Sequence, residues 1–494
     1  MIKYDVIEKY SGIHPDKKAL KDDRWEVTWS DFKLYTRRLI GVISKMDRLE
    51  VFYPSLFISN NSIDVVLLGA AFSSLGIPFQ GLDYHLDILV IKKIIKDLNV
   101  KHVFISRELE VKFSDLSLIC NLHFLNDIIE KAKKSTINEI EPIKTLSMPF
   151  KSFAFTSGTT GNPKIAYRLF SFDKRRFEYL QDKYLFTFSD IHLACLPMYH
   201  VSTTGWLRLF LGLGCTVVIH NFKNGYQLCE TIHANHISTT ILSPIILKHI
   251  LSELGEDDKS TYFPSLRFVV TGGKNCSIKI KQEAIRKLGK IIYEYYGTTE
   301  TGINTLLSTE EAIELPGSVG REFEGNKIAI LSDQNTEVPA GEVGRIAIYS
   351  YMNFDGYLNH SADFVTLDRL KYVLTYDYGY KNVNGYLFIV QRASYIPKKV
   401  YNFYGLENDV LDLGYLADVC ISESKENDAV NIFVVPKRYY PYLKVQSDIK
   451  KISEKYGVKN SVVNVASELS YTLTGKIKSS LPISIKCEKH YVAK

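Results

Sequence analysis

Phe155-Thr-Ser-Gly-Thr-Thr-Gly-Asn-Pro-Lys164 is the stretch from which the rest of this chain is read. The apolar Phe153-Ala-Phe155 leading into it has the composition of a buried strand. Gly158 and Gly161 let the backbone curl with φ > 0, so that successive N–H groups face one concavity. Thr156, Ser157, Thr159 and Thr160 line that concavity with hydroxyl donors, and Lys164 closes it with a mobile positive charge. Such a loop suits the oxygens of a polyphosphate and offers little to a neutral ligand. It is not a Walker loop, which needs Gly immediately before the Lys, where Pro163 stands. A plain polar turn between strands would account for the glycines but not for the density of hydroxyl and ammonium donors.

With 494 residues, 46% of them hydrophobic, the chain can bury a large core and is expected to form more than one domain. A net charge of +6 is modest for this size and does not mark a nucleic-acid binder. The seven cysteines are scattered, odd in number and without a Cys-x-x-Cys pair, which speaks against a disulfide framework and for a reducing compartment. The opening MIKYDVIEKYSG has no apolar centre and does not read as a signal peptide. The most apolar window, residues 65–79, is too short to span a bilayer. A soluble cytoplasmic protein without a membrane span is expected.

Residues 1 to about 150 alternate helix and strand patterns, as in a layered α/β domain. Trp25-Glu-Val-Thr-Trp29 alternates like a strand, and Ser30-Asp-Phe is read as the cap of a helix running through Lys45. Leu56-Phe-Ile-Ser59 reads as a buried strand, Ser62 through Ser74 as a helix, and Gly76-Ile-Pro-Phe79 as the start of the next strand. No internal repeat or low-complexity linker is present. His233 and His236 lack accompanying acidic or thiol ligands at metal spacing and read as the end of a helix. Thr239-Thr-Ile-Leu-Ser-Pro244 reads as a strand followed by a helix. The aromatic and basic run from Tyr376 to Tyr404 could pass for a nucleic-acid surface, but its place among the motifs below speaks against that.

The glycine-rich loop resembles, almost letter for letter, the signature loop of the acyl-adenylate-forming (AMP-binding) superfamily: acyl- and aryl-CoA ligases, peptide-synthetase adenylation domains and luciferases. Further segments resemble that family's motifs in order. They are Cys195-Leu-Pro-Met-Tyr-His200, Phe268-Val-Val-Thr-Gly272-Gly273-Lys274, Tyr293-Glu-Tyr-Tyr296-Gly297-Thr298-Thr299-Glu300, Thr375-Tyr-Asp377 with Arg392, and Tyr471-Thr-Leu-Thr474-Gly475-Lys476. The resemblance implies a large layered α/β N-terminal domain with a β-rich subdomain (residues 1–392) and a small mobile α+β C-terminal domain (393–494), hinged near Ala393-Ser394. It also implies roles. Tyr296 would stack on adenine, and Gly272 and Gly273 would let the backbone approach adenine and acyl group. Gly297 and Thr298 would complete the nucleotide site, while the Thr299 hydroxyl meets the α-phosphate. Glu300, with Thr156, would supply oxygen to Mg²⁺. Asp377 would accept the ribose hydroxyls from a turn, and Arg392 would donate to ribose or phosphate. Gly317-Ser-Val-Gly320-Arg, Gly341-Glu-Val-Gly344 and Asp355-Gly-Tyr-Leu-Asn359 read as supporting turns. Lys476 would swing in to bridge the carboxylate and the α-phosphate. His200 would position the carboxylate, against the plain alternative of a structural histidine.

The departures gather near the expected hinge. Tyr376 replaces the family's small residue before the ribose Asp, and Gln391 stands where Gly or Asp is usual. The glycine that lies beside the family's thiol channel is absent; Tyr401 falls there on a gapless count, and only a gap would bring Gly405 to it. Lys274 also replaces a small residue, and is read as reaching solvent rather than an anionic part of the ligand. The segment around His200 has no Asp for an α-ammonium, so an acid without an α-amino group is expected. The resulting expectation is an ATP- and Mg²⁺-dependent acid–thiol ligase that forms an acyl-adenylate from a small-molecule carboxylic acid and passes the acyl group to coenzyme A. One alternative keeps the first step but delivers to an acyl carrier protein or an amine. Another is a non-catalytic adenylate-binding protein.

Overall fold

The computed structural model describes residues 1–46, 53–135, 150–156, 163–170, 174–255, 262–393, 396, 397, 399–423, 429–438 and 440–473. Its largest layer is a nine-stranded sheet. Lys18–Lys21, Thr216–Ile219, Ile191–Ala194, Thr239–Leu242, Phe268–Gly272 and Ile292–Thr298 run parallel in that spatial order. Antiparallel strands close both edges: Glu26–Thr28 on one side, Gly302–Leu307 and Arg321–Glu322 on the other. Thr239–Leu242 and Phe268–Gly272 are buried along their whole length, as parallel strands covered on both faces must be. Leu193, Val217, Ile241 and Val270 share one apolar core with Trp206, Phe210 and Leu247 from the covering helices.

A second, all-parallel sheet orders Phe79–Gly81, Ser55–Ile58, His102–Ile105 and Asn121–Phe124. Between its first two strands in sequence runs the almost wholly buried helix Ile63–Leu75, capped by the Ser62 hydroxyl. Gly76 ends that helix with φ 74°, so the following strand starts at Phe79 and not at Gly76. The cap of the helix Trp29–Ser44 is Thr28 rather than Ser30. The Thr28 hydroxyl accepts from the Asp31 N–H, and the Asp31 carboxylate accepts from the Thr28 N–H, which ends the preceding strand one residue before Trp29. His233 closes the helix Gly225–Ala234, where its ring meets the Tyr262 carbonyl at 2.8 Å.

Two antiparallel sheets carry the site. One orders Gly356–Tyr357, Lys164–Arg168 and Ser152–Thr156. The other has five strands, in which Leu370–Lys381 pairs with Gly344–Tyr349, Phe364–Leu367 and Leu387–Arg392. Beyond residue 400 the chain builds a separate core. The strands Leu416–Glu423, Val430–Pro436 and Ser461–Val465 pack with the helices Phe403–Leu411 and Tyr442–Lys455 around Leu406, Val410, Ile432, Val445 and Ile449. Among the described residues no helix is long and apolar enough to cross a membrane, and the six described cysteines are free thiols.

Candidate active site

The strands flanking the glycine-rich loop form a hairpin in which Thr156 sits opposite Lys164. Ser157, Gly158, Thr159, Thr160 and Gly161 lie outside the described residues. Lys164 is bracketed by Asn359, whose side chain donates to the Pro163 carbonyl (3.2 Å) and accepts from the Ile165 N–H (2.9 Å). Residues 355–359, read from sequence as a supporting turn, belong with Phe354 to a strap that joins two motifs. Gly356 and Tyr357 pair with Tyr167 and Ala166. On its other side, the Phe354 N–H donates to the Glu300 carbonyl (2.7 Å), and the Tyr357 hydroxyl donates to Glu300 Oε1 (2.6 Å). Burial, with the Glu300 charge beside it, pushes the Tyr357 phenol far above its ordinary value and keeps it a donor. The Lys164 ammonium lies 5.3 Å from the centroids of both the Tyr357 and Tyr376 rings.

Arg168, which sequence reading missed, ties this hairpin to the Glu300 turn: its guanidinium donates to the carbonyls of Thr299 (2.7 Å) and Met352 (3.0 Å). Desolvation lowers its pKa to about 10, partly offset by the Glu300 charge, so it stays cationic at neutral pH. Its only sequence signal is a cation on an otherwise apolar stretch just after Lys164.

Asp377 is not presented by a turn. It lies inside the strand Leu370–Lys381, directly opposite Arg392, and is 2% exposed. A twelve-residue strand with partners on both sides leaves no turn at this position. The Tyr296 hydroxyl donates to Asp377 Oδ2 (2.8 Å), and Arg392 Nε approaches Oδ1 at 3.7 Å. The ring expected to stack on adenine is thus anchored to the carboxylate expected to meet ribose. Burial first, and then the Asp377 charge, raise the Tyr296 phenol well above its ordinary value. Gln391, fully buried, donates to Glu423 (3.0 Å) and accepts from the Tyr401 N–H (2.8 Å), tying the last strand before the expected hinge to the C-terminal segment.

Thr298 ends the strand Ile292–Thr298 and pairs its hydroxyl with Thr301 (3.0 Å), while Thr299 engages Arg168 through its carbonyl. A Cβ on Gly297 would stand 2.2 Å from the Gly302 carbonyl oxygen, so closure of this hairpin requires glycine. A Cβ on Gly272 would fall 2.5 Å from the Tyr295 ring, and Gly273 has φ +80°. Packing and backbone conformation therefore already demand both glycines. Lys274 is half-buried rather than reaching freely into solvent. Its ammonium lies 4.1 Å from the centroid of the Tyr471 ring in the C-terminal segment, near enough to half-buried Glu407 for the two charges to act on each other. Asn275 donates to Glu407 (3.1 Å), the Ile278 N–H donates to Asn408 (3.0 Å), and the Ser243 hydroxyl donates to the Leu473 carbonyl (2.6 Å). Residues 471–473 are thereby docked beside the N-terminus of the helix Pro244–Glu253. Thr474, Gly475 and Lys476, like Ser394, lie outside the described residues.

His200 is the N-cap residue of the helix Val201–Gly212, half-buried, with its ring 4.7 Å from that of Tyr199. Its segment is held by Asn61, which accepts from the Met198 N–H (2.8 Å) and donates to the Leu196 carbonyl (2.9 Å), and by Gln80, which donates to the Tyr199 carbonyl (2.9 Å). Neither Asn61 nor Gln80 carries a local sequence signal. Tyr401 stacks on Phe403 (5.8 Å between centroids, 11° between planes) and packs on the core of the C-terminal segment. Gly405 lies within the helix Phe403–Leu411, where a Cβ would stand 2.7 Å from the Asn402 amide.

The structure therefore brings Lys164, Glu300, Tyr357 and Tyr376 together, with Asp377, Arg392 and Tyr296 adjoining through the strand Leu370–Lys381. Among the described residues no group of three His, Cys, Asp or Glu side chains could hold a metal. A single carboxylate fits a hard cation that draws most of its shell from water and phosphate, which is the habit of Mg²⁺.

The chain is also similar to known proteins. The 2-succinylbenzoate–CoA ligase of Enterococcus faecalis is 25% identical over 392 residues, 78% of each chain. The mitochondrial acyl-coenzyme A synthetase ACSM4 of Rattus norvegicus is 26% identical over 376 residues, 70% of this chain; the match covers 63% of that relative's length. In fold, the chain is similar to the o-succinylbenzoate CoA synthetase of Bacillus subtilis in complex with its acyl-adenylate intermediate (TM-score 0.79, 19% identity, 96% of each chain). It is also similar to the amide bond synthetase McbA of Marinactinospora thermotolerans (TM-score 0.79, 17% identity, 96% of this chain and 97% of that one). The family model described as AMP-binding enzyme matches residues 7–358, and the chain belongs to that family.

Proposed function

We propose that this chain activates a carboxylic acid lacking an α-amino group with ATP and Mg²⁺ and transfers the acyl group to a thiol, coenzyme A. The observation that carries the reading is the joining of Lys164 to Glu300 through Tyr357, a cation and a carboxylate held at a fixed separation beside a hydroxyl-rich loop. A substrate carboxylate oxygen attacks the α-phosphorus of ATP, the α–β bridging P–O bond breaks, and pyrophosphate leaves with the electron pair. The acyl-adenylate's mixed anhydride is then broken by the thiolate, with AMP leaving. Neither step needs a covalent enzyme intermediate, so the residues act by positioning and by matching developing charge.

In this reading Lys164 and residues 156–161 bind the β- and γ-phosphates, and Thr298 and Thr299 face the α-phosphate. Gly272 to Lys274, Tyr296 and Gly297 border the adenosine, Asp377 and Arg392 hold the ribose, and His200 orients the acid. Glu300, assisted by Thr156, would hold Mg²⁺, which when bound supplies charge neutralisation at the phosphates. Lys476 completes the site from a small domain beginning near residue 393, and the docking of residues 471–473 supports that. No aspartate lies among residues 195–206, which supports an acid without an α-ammonium. A cytoplasmic setting fits the six free thiols.

A second reading keeps the adenylation and changes the acceptor to a carrier protein or an amine. It is favoured by Tyr401 standing in place of the channel glycine and by resemblance to a fatty acid–[acyl-carrier-protein] ligase of Streptomyces coeruleorubidus, 30% identical over 251 residues. ATP–pyrophosphate exchange over a panel of acids, followed by thioester analysis with and without coenzyme A, separates the two. Exchange absent with every acid, alongside intact ATP binding, would instead establish a non-catalytic adenylate-binding protein.

A further inference from the structure

We propose that Tyr357 and Tyr376 are positioning residues for the nucleotide: two rings confine the Lys164 ammonium between them, and the Tyr357 hydroxyl fixes the Glu300 carboxylate at the same time. This rests on the reading above, in which Lys164 meets phosphate and Glu300 meets Mg²⁺. The Lys164 Nζ lies 5.3 Å from each ring centroid, within the roughly 6 Å over which an aromatic face attracts an ammonium. A lysine stem otherwise leaves its charge many rotamers, and a charge that must meet phosphate at one place gains from confinement. Rings confine it without consuming its N–H donors, whereas a carboxylate partner would take those donors and neutralise the charge.

Each ring is itself held. Tyr357 is fixed by its strand pairing to Ala166 and by its 2.6 Å bond to Glu300. Tyr376 lies beside Arg345, whose guanidinium is 5.2 Å from the ring centroid, and Arg345 is itself held by Asp363 at 3.0 Å. Tyr376 also adjoins Asp377 in the strand Leu370–Lys381, so one strand places both the ring beside Lys164 and the carboxylate that Tyr296 and Arg392 approach. The bulk at position 376, where the family has a small residue, is in this chain part of the phosphate-binding apparatus.

The test is calorimetric binding of ATP, with and without Mg²⁺, beside ATP–pyrophosphate exchange. Tyr376→Leu should weaken Mg·ATP binding about 5- to 30-fold, the range of a partly desolvated ammonium–ring contact, and Tyr376→Phe should restore it to within about twofold. In a Lys164→Ala background Tyr376→Leu should have no further effect. Tyr357→Phe keeps the ring and loses the Glu300 bond, so it should weaken Mg·ATP several-fold and leave metal-free ATP binding unchanged. Equal losses from Tyr376→Leu in both backgrounds, or equal losses from Tyr357→Phe with and without Mg²⁺, overturn the assignment. Should Tyr376→Leu fail to fold, the two phenylalanine variants decide it: a Tyr376→Phe loss well beyond twofold overturns it as well. If binding follows the expected pattern while no acid supports exchange, the assignment of the two tyrosines stands and the adenylating reading falls. If exchange is robust and the pattern absent, the reverse holds.

Discussion

Glu407 offers a pH-dependent test of how the C-terminal segment docks. It sits on the helix Phe403–Leu411, where that helix meets the loop after Phe268–Gly272, and accepts from the Asn275 amide (3.1 Å) and the Ile421 N–H (3.3 Å). Burial raises its carboxyl from 4.5 to about 7, against the pull of Lys274. The charged groups facing it are Lys274 and Asp418, while burial pushes the Cys420 thiol up to about 12 and keeps it neutral. When the segment undocks, the carboxyl returns to water and to its ordinary value. The docked form then holds a proton more tightly, so docking is favoured most below about pH 4.5 and loses that advantage as pH rises through about 7. At roughly 1.4 kcal/mol per pH unit the interval amounts to on the order of 3 kcal/mol. Because the side chain keeps some contact with solvent, about 1–3 kcal/mol is the working range.

Glu407→Gln imitates the neutral acid and keeps an oxygen to accept from Asn275. Energy transfer between a dye on the large domain and one on the helix Tyr442–Lys455 should show the wild type undocking progressively from pH 5 to 8, with the variant docked and nearly flat across that range. Identical pH profiles for the two proteins, or docking that tightens as pH rises, would refute the reasoning.

Other outcomes follow from the same geometry. Lys164→Ala and Glu300→Gln should each lower acid-dependent ATP–pyrophosphate exchange about 100-fold or more; unchanged exchange removes the residue from the chemistry. In the proposed reading Lys476 would make its contact only in a closed state, so Lys476→Ala should abolish exchange while ATP binding persists, and normal exchange would make it an ordinary surface lysine. Lys281 and Glu294, the latter on the strand that carries Tyr296, form a buried ion pair at 2.7 Å with side chains 6% and 4% exposed. Lys281→Met should cost about 3–5 kcal/mol in urea unfolding by stranding the carboxylate, and a loss under about 1 kcal/mol would mean that Glu294 simply takes up a proton. Tyr401→Gly should leave transfer of a preformed adenylate to coenzyme A no faster and cost about 2 kcal/mol of stability, because the ring packs in the C-terminal core. A tenfold acceleration would place the ring in the thiol path.

What the sequence determined by itself is local. The Ser62 helix start, the buried parallel strands and the order of the loops are legible because helix ends, side-chain period and positive φ depend on neighbours a few residues apart. Even there, choosing Ser30 over Thr28 and starting a strand at Gly76 went astray, since competing caps differ only in three-dimensional hydrogen bonding. Tertiary structure alone decided the contacts between distant stretches. It showed that residues 355–359, read as a supporting turn, belong to the strap between Lys164 and Glu300, set Asp377 in a strand opposite Arg392, and turned Lys274 toward Tyr471. It also drew in Asn61, which no local pattern marks, and Arg168, marked only as a cation on an apolar stretch. Apart from Arg392, which follows Asp377 closely in the chain, the partners of these side chains lie many tens of residues away or more, and which of them meet is fixed by sheet order and register, quantities that the spacing of residues along the chain does not encode.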